Sequence, residues 1–175
     1  MAIILFFGNM SFVKINLKEK VWYDYVDDDI VELLNESLLL TEAASGWNGK
    51  FHDYSFVVFP AAKAYEGFLK KLFLDLGFIT KEDYYGKRFR IGKALNPNLE
   101  SELRAAESVY DRLVHYCGGR QLADRLWNTW KECRNTLFHW FPDEKTVINF
   151  EEAERRVAVV VVSIDKAFEG CKIKR

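Results

Sequence analysis

Residues 151–168 read EEAERRVAVVVVSIDKAF, and the fold class turns on whether they form a strand or a helix. The valine run, Val157 and Val159 to Val162, favours a strand by propensity. Against that, Ala153, Val157, Val160, Val161, Ile164 and Phe168 recur at helical spacing over four turns, and Glu151 to Arg156 is strongly helix-forming. The spacing predicts a helix over about 150–170, opened by Asn149 with Glu152 three positions on as a capping box. Val159 and Val162 then broaden the apolar face beyond what one packing side needs, which suggests a second contact such as a subunit interface.

The same period recurs upstream. Asp27-Asp28-Asp29 supplies a cap and first-turn negative charge for a helix to about Ala44, with Ile30, Leu33, Leu34, Leu38 and Thr41 in phase. Ser45-Gly46 ends it. From about Tyr54 to Leu76 runs the widest stripe: Phe56, Phe59, Ala62, Ala64, Tyr65, Phe68, Leu69, Leu72, Phe73 and Leu76, broad enough to be central in a bundle. Pro60 either opens this helix or kinks it. Asn96-Pro97 predicts the start of a third helix, ended by Gly118-Gly119, with Leu99, Leu103, Ala106, Val109, Tyr110, Leu113 and Val114 inward. A fourth covers Arg120 to about Leu137, burying Leu122, Leu126, Trp127, Trp130 and Cys133. Residues 141–150 read as a linker that pairs briefly as a strand, and residues 3–15 as a short hairpin or extended arm. The expectation is an all-α bundle of about five helices, divided as 1–50 (arm and first helix) and 51–175 (helical domain).

Composition narrows the function classes. Of 175 residues 49% are apolar and 15% aromatic, enough for a packed core. The formal charge of −1 removes any bulk attraction to nucleic acid, so an RNA contact must rest on local basic clusters. Three widely spaced cysteines, Cys117, Cys133 and Cys171, suit a reducing cytoplasm better than a disulfide framework or a metal site. The apolar residues 1–7 are too few to span a membrane. They read as a buried strand or as the remnant of a preceding domain. No glycine-rich phosphate loop, Gly-x-Ser-x-Gly element or carboxylate–histidine cluster is present, so neither a metal nor a cofactor is expected.

The chemistry that remains is Arg134-Asn135-Thr136-Leu137-Phe138-His139. Histidine moves protons near neutral pH, and arginine holds phosphate oxygens in a planar fork. RNA suits such a pair because its 2′-hydroxyl is a built-in nucleophile and neither a protein nucleophile nor a metal is required. Five residues along a regular helix is about 140° of rotation, so the helix must end or bend between the two, or each must meet partners from elsewhere. A twofold dimer would supply them. The competing reading makes Arg134 a surface cation and His139 a partly buried ring between Phe138 and Trp140. Glu66, an acid among large apolar neighbours, reads on its residues alone as a stripe-edge glutamate reaching solvent. The basic stretch with Lys81, Lys87, Arg88, Arg90 and Lys93, interleaved with Tyr84, Tyr85 and Phe89, suits phosphate contact plus base stacking, or equally an irregular loop with snorkelling stems.

A helical chain with Arg-Asn-Thr-Leu-Phe-His at the end of a late helix resembles the HEPN superfamily, whose ribonucleases carry an Arg-x(4–6)-His motif. More narrowly, Phe59-Pro60-Ala61-Ala62-Lys63-Ala64-Tyr65-Glu66-Gly67-Phe68-Leu69-Lys70 and Arg134 to Trp140, followed by Glu151-Glu152-Ala153, resemble the HEPN toxin domain of ribonuclease LS toxins over about residues 54–170. The resemblance implies a dimeric, metal-independent endoribonuclease, acting as a toxin restrained by a cognate antitoxin, often in phage defence. It implies that Arg134 and His139 are the catalytic pair, that Asn135 supports them, and that Glu66 orients or tunes them. Lys87, Arg88 and Arg90 are then candidates for RNA-backbone contact. Full toxins of that group carry further domains ahead of this one, where this chain has about fifty residues. The alternatives are a non-catalytic HEPN-like module that binds a partner protein or nucleic acid, and a helical subunit joined through the valine-rich last helix.

Overall fold

The computed structural model describes residues 15–139, 142 and 146–170. Among these are eight α-helices and no strand: α1 (Asp28–Ser45), α2 (Ser55–Asp75), α3 (Lys81–Tyr85), α4 (Ile91–Ala94), α5 (Ser101–Glu107), α6 (Val109–Tyr116), α7 (Gln121–Trp130) and α8 (Phe150–Gly170). The fold is all-α, and the valine run is helical. The expected N-terminal hairpin lies outside the described residues, apart from Ile15.

α2 is the central element. Val57, Val58, Ala61, Ala64, Tyr65, Phe68, Leu69, Leu72 and Phe73 are buried along it, between α1 on one side and α7 and α8 on the other. α1 comes close because Gly67 has no side chain: a Cβ there would stand 3.2 Å from the Ile30 side chain. Ser37 of α1, fully buried, donates to the Val57 carbonyl, and the Thr41 hydroxyl donates to the Ser37 carbonyl at 2.8 Å. On the opposite face the Tyr65 hydroxyl lies 3.2 Å from the Leu126 carbonyl and 3.1 Å from the Ser163 hydroxyl. One buried hydroxyl thereby joins α2, α7 and α8, as buried polar groups require partners. Burial pushes that phenol well above its ordinary pKa, so it stays neutral.

Several expectations are corrected. Asp27 is the N-cap of α1, but its carboxylate does not cap; it accepts the Tyr84 hydroxyl at 3.3 Å. Of the two alternatives for Pro60, it does not open α2 but lies buried inside it, and Phe59 beside it is 50% exposed rather than inward. Asn96-Pro97 forms a side-chain-stabilised turn, Asn98 N–H to Asn96 Oδ1 at 2.9 Å, and the helix starts later, at Ser101. The expected third helix is two helices because Ser108 is extended between them (φ −76°, ψ 103°) and caps α6 by accepting the Asp111 N–H. A two-pronged Arg104–Asp111 pair, at 2.8 and 2.7 Å, braces that corner. Consequently Ala106 is exposed and Leu103 only half-buried. The basic stretch is not wholly irregular; it contains α3 and α4. At α8 half of the capping box forms: Asn149 Oδ1 accepts the Glu152 N–H at 2.8 Å, while the Glu152 carboxylate turns to Arg155 and Arg156. The described part of the expected linker strand, residues 142 and 146–149, has no strand pairing. Val159 is half-buried and Val162 is 45% exposed, so the broad apolar face of α8 is real on this chain.

Candidate active site

The site is built where α7 ends against the exposed edge of α2. α7 does not stop at Trp130 but widens into a π turn, Lys131–Asn135. The Thr136 N–H reaches back five residues to the Lys131 carbonyl at 3.0 Å, and the Thr136 hydroxyl donates to the same oxygen at 3.0 Å. The Glu132 carbonyl is taken by Arg156 Nη1 of α8 at 2.9 Å. Wide turns of this kind leave backbone groups to be satisfied from outside, and they occur frequently at functional sites. Leu137 is buried just after the turn and anchors the chain as it leaves the helix.

Arg134 lies in the π turn and His139 lies beyond it, so the helix terminates between them. Arg134 Nε donates to Glu66 Oε2 of α2 at 3.2 Å, with the two side chains 34% and 35% exposed. Glu66 is therefore at the edge of the α2 stripe, as its residue chemistry suggests, but an arginine meets it there. An arginine whose Nε–H is held this way still offers the two-nitrogen end of its fork to another oxyanion. Asn135 is half-buried at the last position of the π turn, and His139 is exposed rather than buried between rings. The thiol of Cys133, one residue before Arg134, is buried and pushed up to about 12 by that burial, so it is protonated and not a nucleophile at neutral pH.

Lys87, Arg88 and Arg90 are exposed on the segment that leads into α4. Among the described residues no hydrogen bond or ion pair joins them to Arg134 or Glu66. Arg88 and Arg90, with Lys93 and Arg112, line a cavity of about 700 Å³ beyond the C-terminal end of α2. The segment nevertheless abuts the elements of the site at two points. Lys70 Nζ of α2 donates to the Tyr84 carbonyl at 3.4 Å, and Gly92 of α4 packs closely against the outer ring of the Trp130 indole. Sequence reasoning missed Phe59 and Lys63. The Phe59 ring meets Phe138 edge-on at 5.3 Å between centroids, and the Lys63 ammonium stands 5.9 Å from the Phe59 centroid. The signal was available in the helical phase: Phe59, Lys63 and Glu66 follow one another at spacings of four and three, so they share a face.

A model of the family described as RNase LS, bacterial toxin DBD domain, matches residues 12–140. The chain belongs to that family. The match takes in Phe59, Lys63, Glu66 and the Arg134 to His139 segment, and α8 lies after it. No curated protein and no solved structure matches the chain. This family agrees with the resemblance to ribonuclease LS toxins in the sequence. Among the described residues no group of three or more histidine, cysteine, aspartate or glutamate side chains could hold a metal ion, and no helix is long and apolar enough to cross a membrane.

Proposed function

We propose that this toxin-family chain is a HEPN-like, metal-independent endoribonuclease that cuts RNA by 2′-hydroxyl attack. The observation that carries the reading is Arg134, held through Nε by Glu66, at the end of the helix from which His139 emerges exposed. The attacking 2′-oxygen forms its bond to phosphorus as the bond to the 5′-oxygen breaks, leaving a 2′,3′-cyclic phosphate and a 5′-hydroxyl. His139 takes the 2′-proton or delivers one to the departing 5′-oxygen, and the Nη end of Arg134 meets the charge that grows on the phosphate. Glu66 fixes the arginine's rotation, and Asn135 is placed to hydrogen-bond the substrate or the pair. One histidine cannot fill both proton roles in the same step. A homodimer that brings two such stretches to one groove supplies the second, and Val159 and Val162 on α8 give it an apolar surface. Lys87, Arg88 and Arg90 would hold the RNA backbone. In its setting the chain would work in the cytoplasm, restrained by a cognate antitoxin protein, in a toxin–antitoxin or phage-defence role.

The alternative of a purely binding module would bury His139 away from the arginine, whereas its side chain is exposed. The test uses the purified chain with a labelled RNA. Arg134→Ala and His139→Ala should each abolish cleavage with fold and oligomeric state intact, EDTA should leave wild-type cleavage unchanged, and the 5′ product should end in a cyclic phosphate. Full activity in either variant, or loss with EDTA, overturns the assignment.

A further inference from the structure

Leading up to the Arg134–Glu66 pair, α2 presents a row of side chains that are only partly buried. Phe56, Phe59, Lys63 and Glu66 follow one another at helical spacings along a face about 15 Å long. Phe59 is 50% exposed, although a phenylalanine in a central helix gains most from full burial. At one end of the row Phe56 continues into Phe51, edge-on at 5.5 Å and itself half exposed, and Phe51 into Trp47 at 5.9 Å. At the other, Phe59 abuts Phe138, whose neighbour in the chain is His139. Exposed cations accompany the rings: the Lys63 ammonium stands over Phe59, and Lys50 precedes Phe51 in the chain. Among the described residues, the carboxylates of Asp53, Glu66 and Glu151 are committed. Asp53 accepts from Ser55 and from the Ile148 N–H, Glu66 from Arg134, and Glu151 from Asn48.

We infer that this row is a stacking platform for unpaired RNA bases, leading a single strand to the phosphate clamped by Arg134. The inference rests on the reading of Arg134 and His139 as a cleaving pair and names the substrate class that pair receives. Aromatic faces accept any unstacked base, and an ammonium beside a ring is placed for that nucleotide's phosphate. A duplex offers neither, because its bases are already stacked and its edges lie within grooves. A second copy of the chain is the rival occupant. The centre of a protein interface is depleted in lysine, whereas here Lys63 stands in the middle of the row. The exposed Phe59 ring also leads, through Phe138, toward His139, and Glu66 on the same face holds Arg134.

The probe is a fluorescein-labelled, unstructured RNA dodecamer, compared with the same strand in a perfect duplex, bound to His139→Ala protein so that it stays intact. Fluorescence anisotropy should show preference for the single strand. Phe59→Leu, which keeps the apolar contact with Phe138 but removes the stacking face, should weaken single-strand binding about fivefold or more. Lys63→Gln should weaken it and flatten its salt dependence. Light scattering should show the same oligomeric state for all variants. Unchanged single-strand affinity in Phe59→Leu overturns the inference, and so does dissociation of an oligomer, which would assign the row to self-association. Failure of the cleavage reading is separately visible. If wild-type protein cuts no RNA but Phe59→Leu still loses single-strand binding, the platform stands and the catalytic pair does not.

Discussion

Glu66 separates positioning from stability more cleanly than any other residue near the site. Its ion pair with Arg134 is a single N–H···O contact at 3.2 Å between side chains 34% and 35% exposed, so solvent screens most of its attraction. Removing it should cost less than about 1 kcal/mol, and for a domain of this size Tm should fall by no more than about 4 °C. Catalysis should respond more strongly. Without the Nε contact the guanidinium samples other rotamers, and a misplacement near 1 Å costs up to about 10²-fold. The expected loss in kcat/KM for Glu66→Ala is therefore about 10- to 100-fold. In Glu66→Gln the amide oxygen can accept the same N–H without a negative charge, so most of the orientation returns. The assay is cleavage of a short RNA with kcat and KM resolved, alongside thermal melts. Wild-type rates in Glu66→Ala, or no recovery of rate in Glu66→Gln, would refute the positioning role.

Three further outcomes follow from the packing. Tyr65→Phe removes the hydroxyl shared by the Leu126 carbonyl and the Ser163 hydroxyl in a fully buried spot, and urea unfolding should show a loss of about 1–3 kcal/mol with the slope unchanged. Gly92→Ala would put a methyl group into the Trp130 ring, with Cζ2 and Cζ3 only 2.8 Å away, so α4 must shift; a loss of about 1–3 kcal/mol and altered tryptophan emission are expected. Glu152 is held down to about 2 from its ordinary 4.5 by hydrogen bonds from Arg155 first and Arg156 next, against a desolvation that works the other way. A lowered folded-state pKa contributes stability above pH 4.5 that fades as pH falls toward about 2, so the stability gap between wild type and Glu152→Gln should be widest near neutrality and close over that interval. A gap that stays constant through the acid range would discard the pairing as its cause.

The helices were legible where apolar spacing ran long and punctuation was strong. The Asp27 to Asp29 cluster, Ser45-Gly46, and Gly118 with its positive φ of 68° mark helix ends that the structure keeps to within a residue or two. Ser108 was unreadable because serine is tolerated within a helix, and only the Asp111 N–H that it accepts and the Arg104–Asp111 brace reveal a corner. Phe59 was misread for a different reason. The α2 stripe is apolar nearly all round, so composition does not fix which ring faces the core, and Pro60 takes the buried place instead. Glu66 stood out as an anomaly, but its partner comes from 68 residues away, beyond anything local spacing can express.

The π turn is the part of the site that spacing implied without naming. A helix of constant pitch sets positions five apart about 140° round from each other, so a regular helix through His139 would turn the two candidate side chains away from one another. The chain avoids this by fixing the two residues to different structures. Arg134 is set by the π turn and by Glu66, while His139 is set by the exit segment anchored at Leu137 and Phe138. The spacing between them can then vary, provided that the arginine stays on the last turn and the histidine beyond it. An alanine inserted between Phe138 and His139 should leave RNA cleavage within about tenfold of wild type, because it lengthens only the exit segment. The same insertion between Trp130 and Lys131 should abolish cleavage, because it rotates Arg134 by about 100° away from Glu66. The first protein should melt near the wild type, whereas the second, which also displaces the buried Cys133 and Leu137, should keep its helical content but melt lower. Equal loss in the two would mean that the spacing itself, rather than the helix terminus between the two residues, organises the site.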